Sequence, residues 1–136
     1  MREGIADAMK MMALSVRQPW ASLIIEGLKV VENRTWATRY RGPLLIHASK
    51  SYNKSTRPPI HDTIKEHPPI FPLGAIIGIV NLVGCVTEHK SYWFEGPYGF
   101  VLENAHKFKD PIPYKGRPGM FMVDLSSDPF LLVKYT

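Results

Sequence analysis

Three ionisable side chains of opposite sign, Lys29, Glu32 and Arg34, sit in the stretch GLKVVENRTW, Gly27 to Trp36. A lysine and an arginine around a glutamate suit two chemistries. They can hold an anion, the arginine by a bidentate contact and the lysine as a point charge. They can also move a proton. The glutamate would orient the lysine, or take a proton from water or a ribose hydroxyl, while a fixed cation meets the developing negative charge. A salt-bridged corner that only holds the fold is the third reading, and spacing does not choose among them. In an extended chain side chains alternate faces. Val30, Glu32, Arg34 and Trp36 then share one face, and Val31, Asn33 and Thr35 the other. Glu32 and Arg34 are expected to pair. Lys29 is out of phase with them, but it follows Gly27, a natural helix stop, and a turn there can swing it toward the same cleft. On this reading Arg34→Ala lowers stability and Lys29→Ala does not.

Other residues could complete a binding surface. Arg17 and Gln18 precede a short helix and would lie near its positive N-terminal end. Trp36 and Tyr40 are candidate stacking platforms beside basic residues such as Arg41. His47 and Ser49 are candidates to face the cleft from a following strand. Lys50, Tyr52 and Lys54 are read as the start of a basic loop that contacts phosphate. Trp20 falls on the apolar helix face and reads as core.

The five histidines, His47, His61, His67, His89 and His106, lack metal-ligand spacing, and there is no H-E-x-x-H, nucleophile elbow or phosphate-cradling glycine loop. No metal site and no cofactor are expected. Cys85 is the single cysteine, so an intramolecular disulfide is excluded. A reducing, cytoplasmic setting follows as an expectation. No apolar run has the length of a membrane span, and the first residues lack the pattern of a signal peptide. Lys and Arg number 17 against 12 Asp and Glu, a formal charge of +5, and the pI is near 9.4. That excess favours polyanions, nucleic acid first.

The 136 residues suit one domain, read as residues 13–136 behind a flexible leader of residues 1–12. A first short strand is predicted over Ala13 to Val16, and a helix from Pro19 to Glu26, with Trp20, Leu23, Ile24 and Gly27 at helical spacing. Strands follow at Val30 to Trp36 and Leu44 to Ala48, then a proline-broken polar loop. A long strand begins near Gly74. Its glycines at 74, 78 and 84 share one alternating face, which suits a strand that curls. Tyr98 to Glu103, Met120 to Leu125 and a terminal PFLLVKYT segment complete the set. The expected class is α+β: a small, mostly antiparallel mixed β-barrel of about six strands with one short helix beside a cleft.

Gly27-x-Lys29-x-x-Glu32-x-Arg34, with LSVRQPWASLIIEGLKVVENRTW around it and YRGPLLIHAS after it, resembles the signature of the ASCH domain family, a branch of the PUA-like superfamily. The resemblance is specific from about Ala13 to Lys50 and weaker from Leu73 to Leu125. It implies the same small barrel, with the motif lining the cleft. It also implies RNA as partner, bound by a monomer, or else a modified nucleoside. Family activities span RNA binding without catalysis, RNA cleavage and amide hydrolysis on acylated nucleosides. For a metal-independent ribonuclease acting on single-stranded RNA, Lys29 and Glu32 would be the catalytic pair. In the amidohydrolase-like branch a threonine stands where this chain has Glu32, and Thr35 lies on the opposite face, which counts against that chemistry here.

Overall fold

The computed structural model describes residues 10–52 and 71–126, with Tyr52 by its backbone alone. Lys54, most of the polar loop and the PFLLVKYT segment lie outside the described residues. Six strands and one helix follow in chain order: β1 (Lys10–Gln18), α1 (Trp20–Ile25), β2 (Val31–Arg34), β3 (Gly42–Tyr52), β4 (Ala75–Val86), β5 (Tyr98–Pro113) and β6 (Met120–Asp124). They form one mixed sheet in the order β2-β5-β4-β3-β1-β6, curled into a half-barrel. Only β1 and β3 run parallel, as a chain that crosses over through α1 and β2 allows.

Both faces of the sheet are apolar. Leu14, Val16, Leu44, Ile46 and Phe100 build one core with Ala21, Ile24 and Ile25 of α1. Ala13, Leu45, Ile76, Phe108, Phe121 and Val123 build the other. Strict alternation along β1 and β3 sends neighbouring residues to opposite cores. The curl comes from irregular pairing of β4 with β5, where the register shifts at three places, two of them beside Gly78 and Gly84.

Several boundaries differ from the sequence expectation, four of them with consequences for the site. β1 begins at Lys10, because residues 10–12 pair with β6, so they are not leader. β2 stops at Arg34, short of Trp36. β3 runs on to Tyr52, where Tyr52 pairs with Gln18 beyond a bulge, so Lys50 and Tyr52 continue a strand instead of opening a loop. β5 continues to Pro113 through a polar stretch whose backbone stays paired to β4.

The helix ends as the sequence predicts. Gly27 takes φ +78°, its N–H bonds the Ile24 carbonyl, and the Leu28 N–H reaches back to the Leu23 carbonyl. This is a Schellman stop, with the glycine where a side chain would be strained. The Lys29 N–H adds a second bond to the same Leu23 carbonyl. The turn therefore determines where the Lys29 side chain starts.

Candidate functional site

Glu32 is the centre of the site. Lys29 Nζ donates to its Oε1 at 2.7 Å, and an Arg34 Nη donates to its Oε2 at 2.8 Å. The same Lys29 ammonium donates to the Val31 carbonyl at 2.5 Å, and the same Arg34 Nη to the Ser15 carbonyl at 2.7 Å. Lys29 is 4% exposed and Glu32 7%. Two cations on one carboxylate leave the cluster with one net positive charge. Arg34 Nε is buried with no hydrogen-bond acceptor in the described protein. An uncompensated buried donor is costly unless something satisfies it.

The elements explain the geometry. Glu32 lies opposite Phe100 in the β2–β5 ladder and so faces the helix-side core. Arg34 follows two residues on, on the same face. Lys29 comes from the turn after α1 and passes 5.9 Å from the Trp20 ring centre, a cation–π contact. Trp20 meets Trp93 edge-on at 5.8 Å, and Trp93 Nε1 donates to the Leu28 carbonyl at 3.0 Å. Trp93 thus closes the turn that carries Lys29. Asn33, on the other face of β2, holds the Trp93 segment. Its Nδ2 donates to the Trp93 carbonyl, and its Oδ1 accepts from the N–H groups of Glu95 and Gly96. Sequence reasoning gave Asn33 and Trp93 no role, because their partnership spans sixty residues of chain. A cleft of about 290 Å³ opens where Gly27, Lys29 and Val30 meet Glu103, Asn104 and Ala105.

The structure brings Lys29, Glu32, Arg34 and Trp36 to one region. Trp36 is half-buried and meets Phe100 edge-on at 5.1 Å. Arg17 is exposed on β1, and alternation puts it on the face of Ser15 and His47, away from the cluster. Lys50 is exposed and Ser49 half-buried on β3.

Three other expectations lead elsewhere. Gln18 is fully buried. Its Oε1 accepts from the Ser22 N–H, capping the first turn of α1, and its Nε2 donates to Ser22 Oγ and the Pro72 carbonyl. Its amide is committed to the fold. His47 lies on the sheet face opposite the cluster, edge-on to Phe121. Its Nε2 donates to the Tyr114 carbonyl at 2.6 Å, and its Nδ1 sits 3.3 Å from Ser15 Oγ. Tyr40 and Arg41 brace their own turn. The Tyr40 hydroxyl donates to the Pro43 carbonyl, and Arg41 Nη1 donates to the Thr38 and Tyr40 carbonyls. Partial burial holds the Tyr40 phenol above its usual value of 10.0.

Lys29 meets Glu32, the residue read from the sequence as able to orient it. It does not stand free in the cleft but is clamped between a carboxylate and a carbonyl. Among the described residues no group of His, Cys, Asp and Glu has the arrangement of a metal site. Nor is any described helix long and apolar enough to cross a membrane.

A curled mixed sheet with one helix and a lysine–glutamate–arginine cluster at the helix stop defines a PUA-like domain of the ASCH type. The ASCH domain model matches residues 14–112, and the chain belongs to the ASCH domain family. Human Activating signal cointegrator 1 is 32% identical over an alignment of 127 positions that covers 82% of this chain, and the mouse protein of the same name is 30% identical. The chain spans only 22% of the length of these relatives. Among solved structures, ASCH from Zymomonas mobilis aligns with a TM-score of 0.54 at 17% identity, covering 90% of this chain and 93% of that one. A tyrosine-to-phenylalanine variant of the same bacterial protein aligns with a TM-score of 0.55, covering 90% and 96%. At that identity the likeness establishes the fold alone.

Proposed function

We propose that the chain binds single-stranded RNA over the Glu32-centred cluster, with Arg34 meeting phosphate and Trp36 offering a base-sized apolar surface. The observation that carries this reading is the buried Arg34 Nε, a charged donor without an acceptor in the described protein, in a cluster of net positive charge. The guanidinium as a whole is half-buried, and at its exposed side a phosphate oxygen is the acceptor that suits it. Membership of the ASCH family and the basic balance of the chain point the same way.

The geometry favours binding over catalysis. Both oxygens of Glu32 are occupied by cations, and an ammonium already donating to Glu32 and Val31 has little left for a developing oxyanion. Lys29 and Glu32 therefore act as the scaffold that aims Arg34. The test is a titration of a labelled twelve-nucleotide RNA in EDTA, repeated from about 50 to about 200 mM salt. Affinity is expected to fall steeply as salt rises, and Arg34→Gln to bind weakly while keeping its fold by circular dichroism. Undetectable binding at low salt, or affinity flat across the series, refutes the reading. Cutting of the RNA, with matched DNA spared, would instead restore the ribonuclease reading.

A further inference from the structure

The geometry points to a second RNA contact on the turn between β5 and β6, residues 114–119, which lengthens the strand footprint beyond the Glu32 cluster. This inference rests on the RNA-binding reading and extends it.

A cavity of about 430 Å³ lies here, larger than the cleft at Lys29 and within the roughly 300–1,000 Å³ of small-ligand sites. Tyr114, Lys115, Gly116, Arg117, Phe121 and Met122 line it. Lys115 and Arg117 are exposed, and neither forms an ion pair among the described residues. They contrast with Lys29, whose ammonium is held by Glu32. Tyr114 stacks on Phe121 at 21° between ring planes, and Met122 is 54% exposed. Two exposed cations two residues apart, beside an aromatic and thioether wall, fit a phosphate backbone with a base laid against the wall.

The turn is held in place from below. The Tyr114 carbonyl accepts from buried His47. Gly116 sits so close over the imidazole that an added Cβ would lie 2.3 Å from its Cε1. His47 is thereby a positioning residue: it presents Lys115 and Arg117 without touching ligand. The turn also joins the first site. The Gly119 carbonyl accepts from the Ser15 N–H, whose own carbonyl takes the Arg34 guanidinium. A Cβ on Gly119 would lie 3.5 Å from Trp36. A strand crossing Trp36 would reach the turn next.

The experiment compares the wild type with a Lys115→Gln/Arg117→Gln double variant on the same twelve-nucleotide RNA. At about 0.7 per phosphate contact, losing two contacts flattens the log–log salt slope by about 1.4. Between about 50 and 200 mM salt the wild type then loses roughly sevenfold more affinity than the variant. Each single variant should give about half that change in slope. Gly116→Ala, which keeps both charges but displaces the turn, should weaken binding too. If the wild type binds no RNA, the broader reading falls. If the wild type binds and the double variant keeps its full slope, this inference alone falls. Loss of binding to a polyglutamate peptide, with the RNA slope intact, would make the turn a protein contact and equally overturn it.

Discussion

Replacing Lys29 with methionine isolates the charge at the centre of the site. Met keeps most of the aliphatic stem of a side chain that is 4% exposed, so little apolar packing is lost. The ammonium goes, and Glu32 Oε1 and the Val31 carbonyl lose their donor. Removing one partner of a buried pair costs about 3–5 kcal/mol when the other charge is left alone. Glu32 retains Arg34 on its second oxygen at 2.8 Å, which places the loss at about 2–3 kcal/mol, the scale of a charged group losing one bond. For a chain of this length about 3 °C accompanies each kcal/mol, so the melting temperature should fall by roughly 6–9 °C. Thermal melts followed by circular dichroism, checked by urea titration at unchanged slope, measure it. The double variant Lys29→Met/Glu32→Leu should recover part of the loss, because it removes the stranded carboxylate. A Lys29→Met melt within about 1 °C of wild type would refute the reasoning and return Lys29 to the role of a free cation.

Two further outcomes follow from the same structure. Gln18→Ala should lower stability by about 1–3 kcal/mol, since it uncaps a half-buried helix N–H and frees the Pro72 carbonyl. Its RNA affinity per folded molecule should stay unchanged, and a drop at full folding would return Gln18 to the binding surface. Tyr40, whose phenol is held above 10.0 by burial, keeps its proton in the fold at pH where the unfolded chain has lost it. The stability it contributes is complete below the unfolded value and is lost as pH rises through the raised folded value. Urea midpoints of wild type and Tyr40→Phe should therefore converge as pH climbs above 10.0, and a constant gap would show that the phenol does not titrate differently in the fold.

The sequence by itself was enough for what depends on near neighbours. Glu32 and Arg34 pair because a strand puts alternate residues on one face, and Gly27 stops the helix because it alone tolerates the left-handed turn. The six strands and the helix of the described residues, and the family signature, were legible for the same reason: each is a local pattern of apolar spacing, turn residues and charge. Only the tertiary structure decided which of the marked residues face the cluster. Gln18 and His47 are polar residues at strand positions, and sequence cannot tell a polar group that awaits a ligand from one that already has Pro72 or Tyr114 as partner. The full length of β5 was hidden because its second half buries little beyond Phe108 and Ile112, and its strand character comes from pairing with β4. Lys29 was legible as a charge that Glu32 could hold, but not as a buried one. Its neighbours in space include Trp20 and the turn closed by Trp93, and contacts across sixty-odd residues are made by the packing of helix on sheet, which no local spacing encodes.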